Sequence, residues 1–548
     1  MKYVVVLGSV MSGIGKGITA SSIGVVLKSL GIRVTAIKID PYLNPDSGTM
    51  SPFEHGECYV LDDGGETDLD LGNYERFLGI TLTRDHNITT GKIYSQVIRD
   101  ERDGKYLGKT VQVVPHITDA IQEWIERTSR VPVDGSGEVP EMCIIELGGT
   151  IGDIESECYA EALRQLGYRL GRENVFYVNV CYCPVIGVTN ETKTKPAQNG
   201  IREIRRHGIN PDLLMVRCER ELDGGAVEKL SNICQISREQ IIINKNVSNI
   251  YRIPIWFKDR GLINIIDSQM RCVDWVRHSQ KQKELMDYWL SWETLADRMD
   301  GPLEEVDVGI VGKYTGMIDS YLSLSHAVRD AGLANGKRVK LCFIESSELE
   351  GLDDEEFKTK IGGYKYLLIP GGFGQRGIEG MIRVAKWARE NEIPLLGICL
   401  GFQVMVIEFA RNVLGLKWAN SDEFDPYTPH PVVTIIDKDQ PLMGGTMRLG
   451  SHQTKLAKQS RAWKAYGEDA TEVNERHRHR YEVNPKYLTL FDTSDMWFSG
   501  VGDDGNRMEI VELNGQSGRK EFYMGTQFHG EYLTRPGKAH PVFKAWLE

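Results

Sequence analysis

The chain is expected to fold as α/β, with two doubly wound, mostly parallel-sheet domains joined by a helical linker. Three observations lead there. Apolar runs of strand length recur at residues 4–7, 34–39, 142–145, 175–180 and 213–216, each with a helical segment nearby, as in a parallel sheet buried on both faces. The first run ends in a glycine-rich turn, Gly8-Ser9-Val10-Met11-Ser12-Gly13-Ile14-Gly15-Lys16-Gly17, that leads into a helical pattern. Further on, the run 393–398 breaks at Cys399 into apolar residues at helical spacing over 402–414. The predicted division is a first domain over 1–266, a linker over 267–305 and a second domain over 306–548.

The helix after the first turn should run over 18–31, because Ile23, Val26, Leu27 and Leu30 share a face and Gly31 suits a C-terminal stop. Glycines before it free backbone N–H groups to face phosphate oxygens, Lys16 adds a charge, and the helix presents its N-terminus to the anion. The match to a phosphate loop is partial: Val10 stands where the strict pattern has glycine, and Gly17 where it has a hydroxyl. A magnesium ion there would need carboxylates from elsewhere, and Asp68-Leu69-Asp70 and Glu146 are the candidates. Cys181-Tyr182-Cys183 lacks zinc-like spacing. Residues 134–138, rich in glycine and acids, read as a disordered surface loop. The linker is charged and helical, with Trp275, Leu285, Trp289 and Leu295 irregularly spaced. The second sheet opens at 306–311 and continues through 339–344, 366–369 and 394–398.

Cys399 sits at the predicted strand-to-helix turn, where helix N–H groups and the positive dipole end favour a thiolate and can serve an oxyanion. His529 could act as its base and Glu531 could orient the imidazole, although a buried core cysteine fits the local pattern too. The earlier Ile369-Pro370-Gly371-Gly372-Phe373-Gly374, a strand ending in glycines, favours the catalytic reading. In this order the three segments resemble the class I glutamine amidotransferases. That resemblance makes Cys399 the nucleophile, His529 the base and Glu531 its partner, and assigns Gly372, Leu400, Gly401, Phe402, Gln403, Glu423 and Arg480 to the glutamine and its oxyanion.

Longer strings extend the resemblance over nearly the whole chain. Lys38-Ile39-Asp40-Pro41-Tyr42, Gly65-Glu66-Thr67-Asp68-Leu69-Asp70-Leu71-Gly72, Lys193-Thr194-Lys195-Pro196 and Arg476-His477-Arg478-His479-Arg480 are similar to those of the CTP synthase family. The resemblance implies a phosphate-loop-type amidoligase domain that uses ATP to phosphorylate O4 of UTP. Ammonia released from glutamine in an amidotransferase domain then travels through a tunnel and displaces the phosphate to give CTP. It assigns Gly13, Ile14, Gly15, Lys16, Gly17, Ile18, Lys38, Asp70, Lys245, Asn246 and Val247 to ATP, and Asp70 and Glu146 to magnesium. Ser12, Asp153, Ile154, Glu155, Lys193, Thr194, Lys195, Pro196, Ala197, Gln198 and Lys229 go to UTP or CTP. It further implies GTP as activator, CTP as feedback inhibitor, a homotetramer and filament assembly; Gln375 and Arg376 are candidates for GTP coupling.

The chain departs from the family pattern at Phe402, at the 156–160 and 188–192 segments, at Asn246 and at Gly530, which replaces a proline between His529 and Glu531. Gly530 is therefore expected to loosen the triad, and Gly530→Pro to preserve or raise glutamine turnover. Composition sets limits. A net charge of -12, from 65 basic and 77 acidic residues spread along the chain, speaks against general nucleic-acid binding. No run of eighteen apolar residues suggests a membrane span, and ten scattered cysteines with no leader pattern suit a reducing, cytoplasmic setting. Two other readings stay open: a different amidoligase of cobyric-acid-synthase type, and a filament-forming scaffold without catalysis.

Overall fold

The computed structural model describes residues 1–188, 191–272, 282–435, 445–492, 494–513 and 521–548. Trp275 of the expected linker, and residues 189 and 190 of the unusual 188–192 segment, lie outside them. The chain divides into two compact units. One holds residues 1–46 and 70–301, the other residues 47–69 and 302–548. The second thus takes in a short piece from the N-terminal half, which periodicity had given no reason to separate from its neighbours.

In the first unit, Lys2–Gly8 is the central strand of a seven-stranded sheet whose pairings are all parallel. Met142–Leu147 pairs on one side of it and Val175–Tyr182 on the other. Chain direction across the sheet reverses beside this strand, so its C-terminal end opens onto the crevice where doubly wound folds bind ligands. Both faces are covered: Tyr3, Val5 and Leu7 pack with Ile145 and Leu163 in one core, and Val4 and Val6 are equally buried on the opposite face. The helix after the glycine turn spans Lys16–Lys28. The stretch read as linker contains the 19-residue helix Gln282–Asp300, which buries Trp292 and Leu295 and belongs to this unit. Residues 134–138, expected to be disordered, form an exposed turn in which Asp134 Oδ1 accepts from the Ser136 amide (3.0 Å) and hydroxyl (2.6 Å).

The second unit is built on a nine-stranded sheet. Five strands, Lys337–Glu345, Glu304–Gly312, Tyr366–Ile369, Leu395–Ile398 and Tyr523–Thr526, are parallel neighbours. The sheet then continues antiparallel through Met508–Leu513, Met496–Gly502, Arg448–Leu456 and Glu472–His479. It is therefore mixed, whereas the apolar runs in the sequence announced only its parallel half. The antiparallel strands alternate: Arg476 and Arg478 point to one face of theirs, His477 and His479 to the other, a polar pattern that hides a strand from a hydropathy reading.

Candidate active sites

In the first unit the glycine turn is held open by positive φ at Gly13 (73°) and Gly15 (85°). Val10 also has positive φ (90°), so the glycine of the strict pattern is replaced here by a β-branched residue in a conformation that strains it. The missing hydroxyl at Gly17 has a structural counterpart. A Cβ at Gly17 would collide with the Asp70 carboxylate and lie 3.6 Å from Glu146 Oε2, so two carboxylates fill the space a Ser or Thr would use. Glu146 is fully buried, accepts a hydrogen bond from the Tyr74 hydroxyl, and is pushed up to about 8 by burial and by Asp70. Lys38 pairs with Asp70 and with Asp40 at 3.1 Å. Lys16 donates to the Gly149 carbonyl (2.7 Å), and burial lowers its pKa. Two hard carboxylates beside a phosphate loop are a donor set that fits magnesium, which takes one or two carboxylates and completes its octahedron with water and phosphate.

Beside the turn, a cavity of about 310 Å³ is lined by Met11, Gly13, Ile14, Tyr182, Arg217, Cys218, Glu219 and Asn246. Asn246 thus shares this cavity with the loop residues Met11, Gly13 and Ile14. Lys245 lies over the Trp256 ring (4.3 Å) and near Glu221 (3.6 Å). Among the residues assigned to UTP or CTP, Gln198 Nε2 donates to Thr194 Oγ1 (3.0 Å), and Ala197 is buried. Lys193 pairs with Glu191 (2.7 Å), and Ser12, Asp153, Ile154, Glu155, Lys195 and Lys229 are exposed.

In the second unit, Leu395–Ile398 runs into the helix Leu400–Asn412 through Cys399, whose φ of 52° and ψ of -98° mark a sharp turn. Glycine is required on both sides. A Cβ at Gly397 would sit 2.5 Å from Met405 Sδ, and one at Gly401 would strike the Ile369 carbonyl. The Cys399 thiol approaches the Arg478 carbonyl (3.7 Å), and Gln527 Nε2 lies 3.7 Å from the sulfur. His529 Nδ1 is 2.7 Å from Glu531 Oε1, and its buried Nε2 has no hydrogen bond among the described residues. Burial opposes charge on His529, but Glu531 and the Cys399 sulfur outweigh it and raise the imidazole to about 10. Cys399, His529, Glu531, Gly371 and Gly372 line a cavity of about 70 Å³, and Gly372 abuts Leu400.

The other residues assigned to glutamine surround this centre unevenly. Glu423 Oε1 accepts from the Gly374 amide (2.8 Å), and burial raises its pKa. Gln403 donates to the Tyr481 carbonyl (2.9 Å), and Arg480 to Thr446 Oγ1 (2.7 Å). The Phe402 side chain is fully buried against Phe498, leaving its main chain as the part that can face the site. Gly530, expected to loosen the triad, is buried beneath the His540 ring, and a Cβ there would lie 2.5 Å from His540 Cε1. A side chain at position 530 would therefore meet the His540 ring rather than open space.

Several site residues were missed in the sequence. Arg478 donates to Glu66 Oε1 (2.9 Å) and the Gly48 carbonyl (3.1 Å) and stacks on Phe373 (5.0 Å), while Glu57 and Cys58 line the Cys399 cavity. Lys313 donates to the Phe373 carbonyl (3.2 Å), and burial lowers it to about 8. Tyr74 and Arg217 gave no signal beyond their neighbourhood, whereas the alternation in the 476–480 string was a usable one.

A sharp strand-cysteine-helix turn with a His-Glu pair, on residues 316–548 that match the family described as "Glutamine amidotransferase class-I", defines a class I glutamine amidotransferase unit. Residues 2–272 match the family described as "CTP synthase N-terminus". Human CTP synthase 1 is 49% identical over 99% of this chain and 91% of its own length, and the Saccharomyces cerevisiae CTP synthase 1 is 47% identical over 98% and 93%. Among solved structures, the glutaminase domain of Trypanosoma brucei CTPS with bound acivicin is 36% identical over 44% of this chain and 92% of that one, with a TM-score of 0.41. The chain belongs to the CTP synthase family, glutamine-hydrolysing ligases that convert UTP to CTP. No helix among the described residues is long and apolar enough to cross a membrane.

Proposed function

We propose that the second unit releases ammonia from glutamine through Cys399, His529 and Glu531, and that the first unit uses ATP to activate O4 of UTP for attack by that ammonia, passed on within the protein. The observation that carries this reading is the 2.7 Å contact between His529 and Glu531 beside a cysteine at a helix N-terminus. The Cys399 thiolate attacks the glutamine amide carbon, the S–C bond forms, and the main-chain amides of Gly372 and Leu400 receive the oxyanion. His529, charged through its proximity to Glu531 and the sulfur, gives its proton to the departing nitrogen as the C–N bond breaks. Water then attacks the thioester with His529 as base, releasing glutamate. Glu423, Gln403 and Arg480 hold the amino-acid end.

In the first unit, Lys16 and Lys38 neutralise phosphate charge, and the cavity that Asn246 lines beside the loop is the place for the base, a reading supported by its position next to Gly13 and Ile14. Asp70 and Glu146 would hold magnesium, which when bound would supply further charge neutralisation of the phosphates. Ser12, Asp153 to Glu155, Lys193 to Gln198 and Lys229 take UTP or CTP. Family membership supports GTP as activator, CTP as inhibitor, a homotetramer, filament assembly and a cytoplasmic location. The test is CTP formation from UTP, ATP and magnesium with glutamine plus GTP or with ammonium chloride, in the wild type and in Cys399→Ala. The variant should lose the glutamine-dependent reaction and keep the ammonium-dependent one. Loss of neither would overturn the assignment of Cys399, and absence of CTP from both nitrogen sources in the wild type would overturn the proposed chemistry.

A further inference from the structure

We propose that His540 is a positioning residue of the glutamine-hydrolysing site, matched to Gly530, and that its ring sets the turn carrying His529 and Glu531. The inference rests on the reading of Cys399, His529 and Glu531 given above.

Gly530 lies between the two proposed catalytic side chains and opens the short 3₁₀ turn Gly530–Leu533. A Cβ there would stand 2.5 Å from His540 Cε1 and 2.8 Å from each ring nitrogen. Separations that short do not occur between real side chains, so any other residue must push the ring away or shift the turn.

The ring has little room to retreat. His540 is 4% exposed, and its Nε2 is 3.0 Å from Glu475 Oε1 and 3.3 Å from the Tyr466 hydroxyl. Tyr466 itself donates to the same Glu475 oxygen at 2.6 Å. On the main chain, the His540 amide donates to Thr534 Oγ1 (3.1 Å), fixing the residue just ahead of the helix Pro541–Trp546.

The anchor leads back to the nucleophile. Glu475 lies on the strand Glu472–His479. On that strand the Arg476 carbonyl accepts from the His529 amide (2.8 Å), and the Arg478 carbonyl faces the Cys399 thiol (3.7 Å). His540 therefore couples the Gly530 turn to the strand that registers both members of the Cys399–His529 pair. A displacement of about 1 Å at such a pair is enough to cost one or two orders of magnitude in rate.

The expected signature is a reciprocal one. Gly530→Ala should lower kcat for glutamine hydrolysis by about tenfold or more, with a smaller change in KM, because the amino-acid end is held elsewhere. His540→Ala should cost less. In the double variant the vacated ring volume accommodates the new methyl, so kcat should recover at least about fivefold over Gly530→Ala alone. Gly530→Pro, with and without His540→Ala, repeats the comparison with a larger side chain. Melting temperatures of all variants separate positioning from general loss of fold. Wild-type kcat in Gly530→Ala and Gly530→Pro, or double variants no faster than the corresponding Gly530 single variants, would overturn the pairing. Cys399→Ala run alongside tests the underlying reading separately: persistent glutamine hydrolysis in that variant would remove the site itself.

Discussion

Replacing Glu146 by glutamine should make the protein more stable at high pH while abolishing its synthetic activity. Glu146 is fully buried, and burial together with Asp70 raises its carboxyl from 4.5 to about 8. With the folded value above the unfolded one, the native state binds more protons between about pH 4.5 and pH 8. Stability therefore falls as pH rises through that window and stays low above it. At about 1.4 kcal/mol for each pKa unit, the burden at pH 9 has a ceiling of about 5 kcal/mol. Glutamine keeps an acceptor for the Tyr74 hydroxyl and carries no charge, so Glu146→Gln removes the burden. For a unit of this size the gain corresponds to roughly 10 °C in melting temperature at pH 9 and to little at pH 4.5. Melting at both pH values, without nucleotide, measures it. CTP formation from UTP, ATP and ammonium chloride should meanwhile drop by at least about 10²-fold, because one of the two carboxylates proposed to hold magnesium is lost. A melting-temperature difference between variant and wild type that is the same at both pH values would refute the argument.

Glu531→Gln removes the carboxylate that raises His529 to about 10, so the alkaline limb of the pH profile for glutamine hydrolysis should move to lower pH; an unmoved limb would show that Glu531 does not charge the imidazole. Arg478→Lys cannot reach Glu66, the Gly48 carbonyl and the Phe373 ring together, and should cost roughly 1–3 kcal/mol in kcat/KM for glutamine while ammonium-dependent synthesis stays at wild-type level.

Local pattern was enough to read the strand-turn-helix segments at Gly8 to Gly17 and at Cys399. Tight turns are dictated by nearby glycines and helices by short-range periodicity, and both lie within a dozen residues of sequence. Carboxylates at Asp70 and Glu146 could be nominated because a phosphate site without a hydroxyl must obtain oxygen ligands somewhere. Their convergence on Gly17, where a side chain is absent, could not be read, since it depends on residues from three separate stretches of chain.

The sequence by itself therefore determined the α/β class, the two glycine-dependent turns and the residue types able to do the chemistry. Tertiary structure decided the rest. It grouped residues 47–69 with the second unit, extended that unit's sheet with antiparallel strands, and recruited Arg478, Lys313 and Tyr74. It also turned Gly530 from an apparent loose point into a packed contact with His540. The physical reason is that backbone conformation is coded by neighbours along the chain, whereas close packing and buried charge pairs are set by neighbours in space, which local periodicity does not encode.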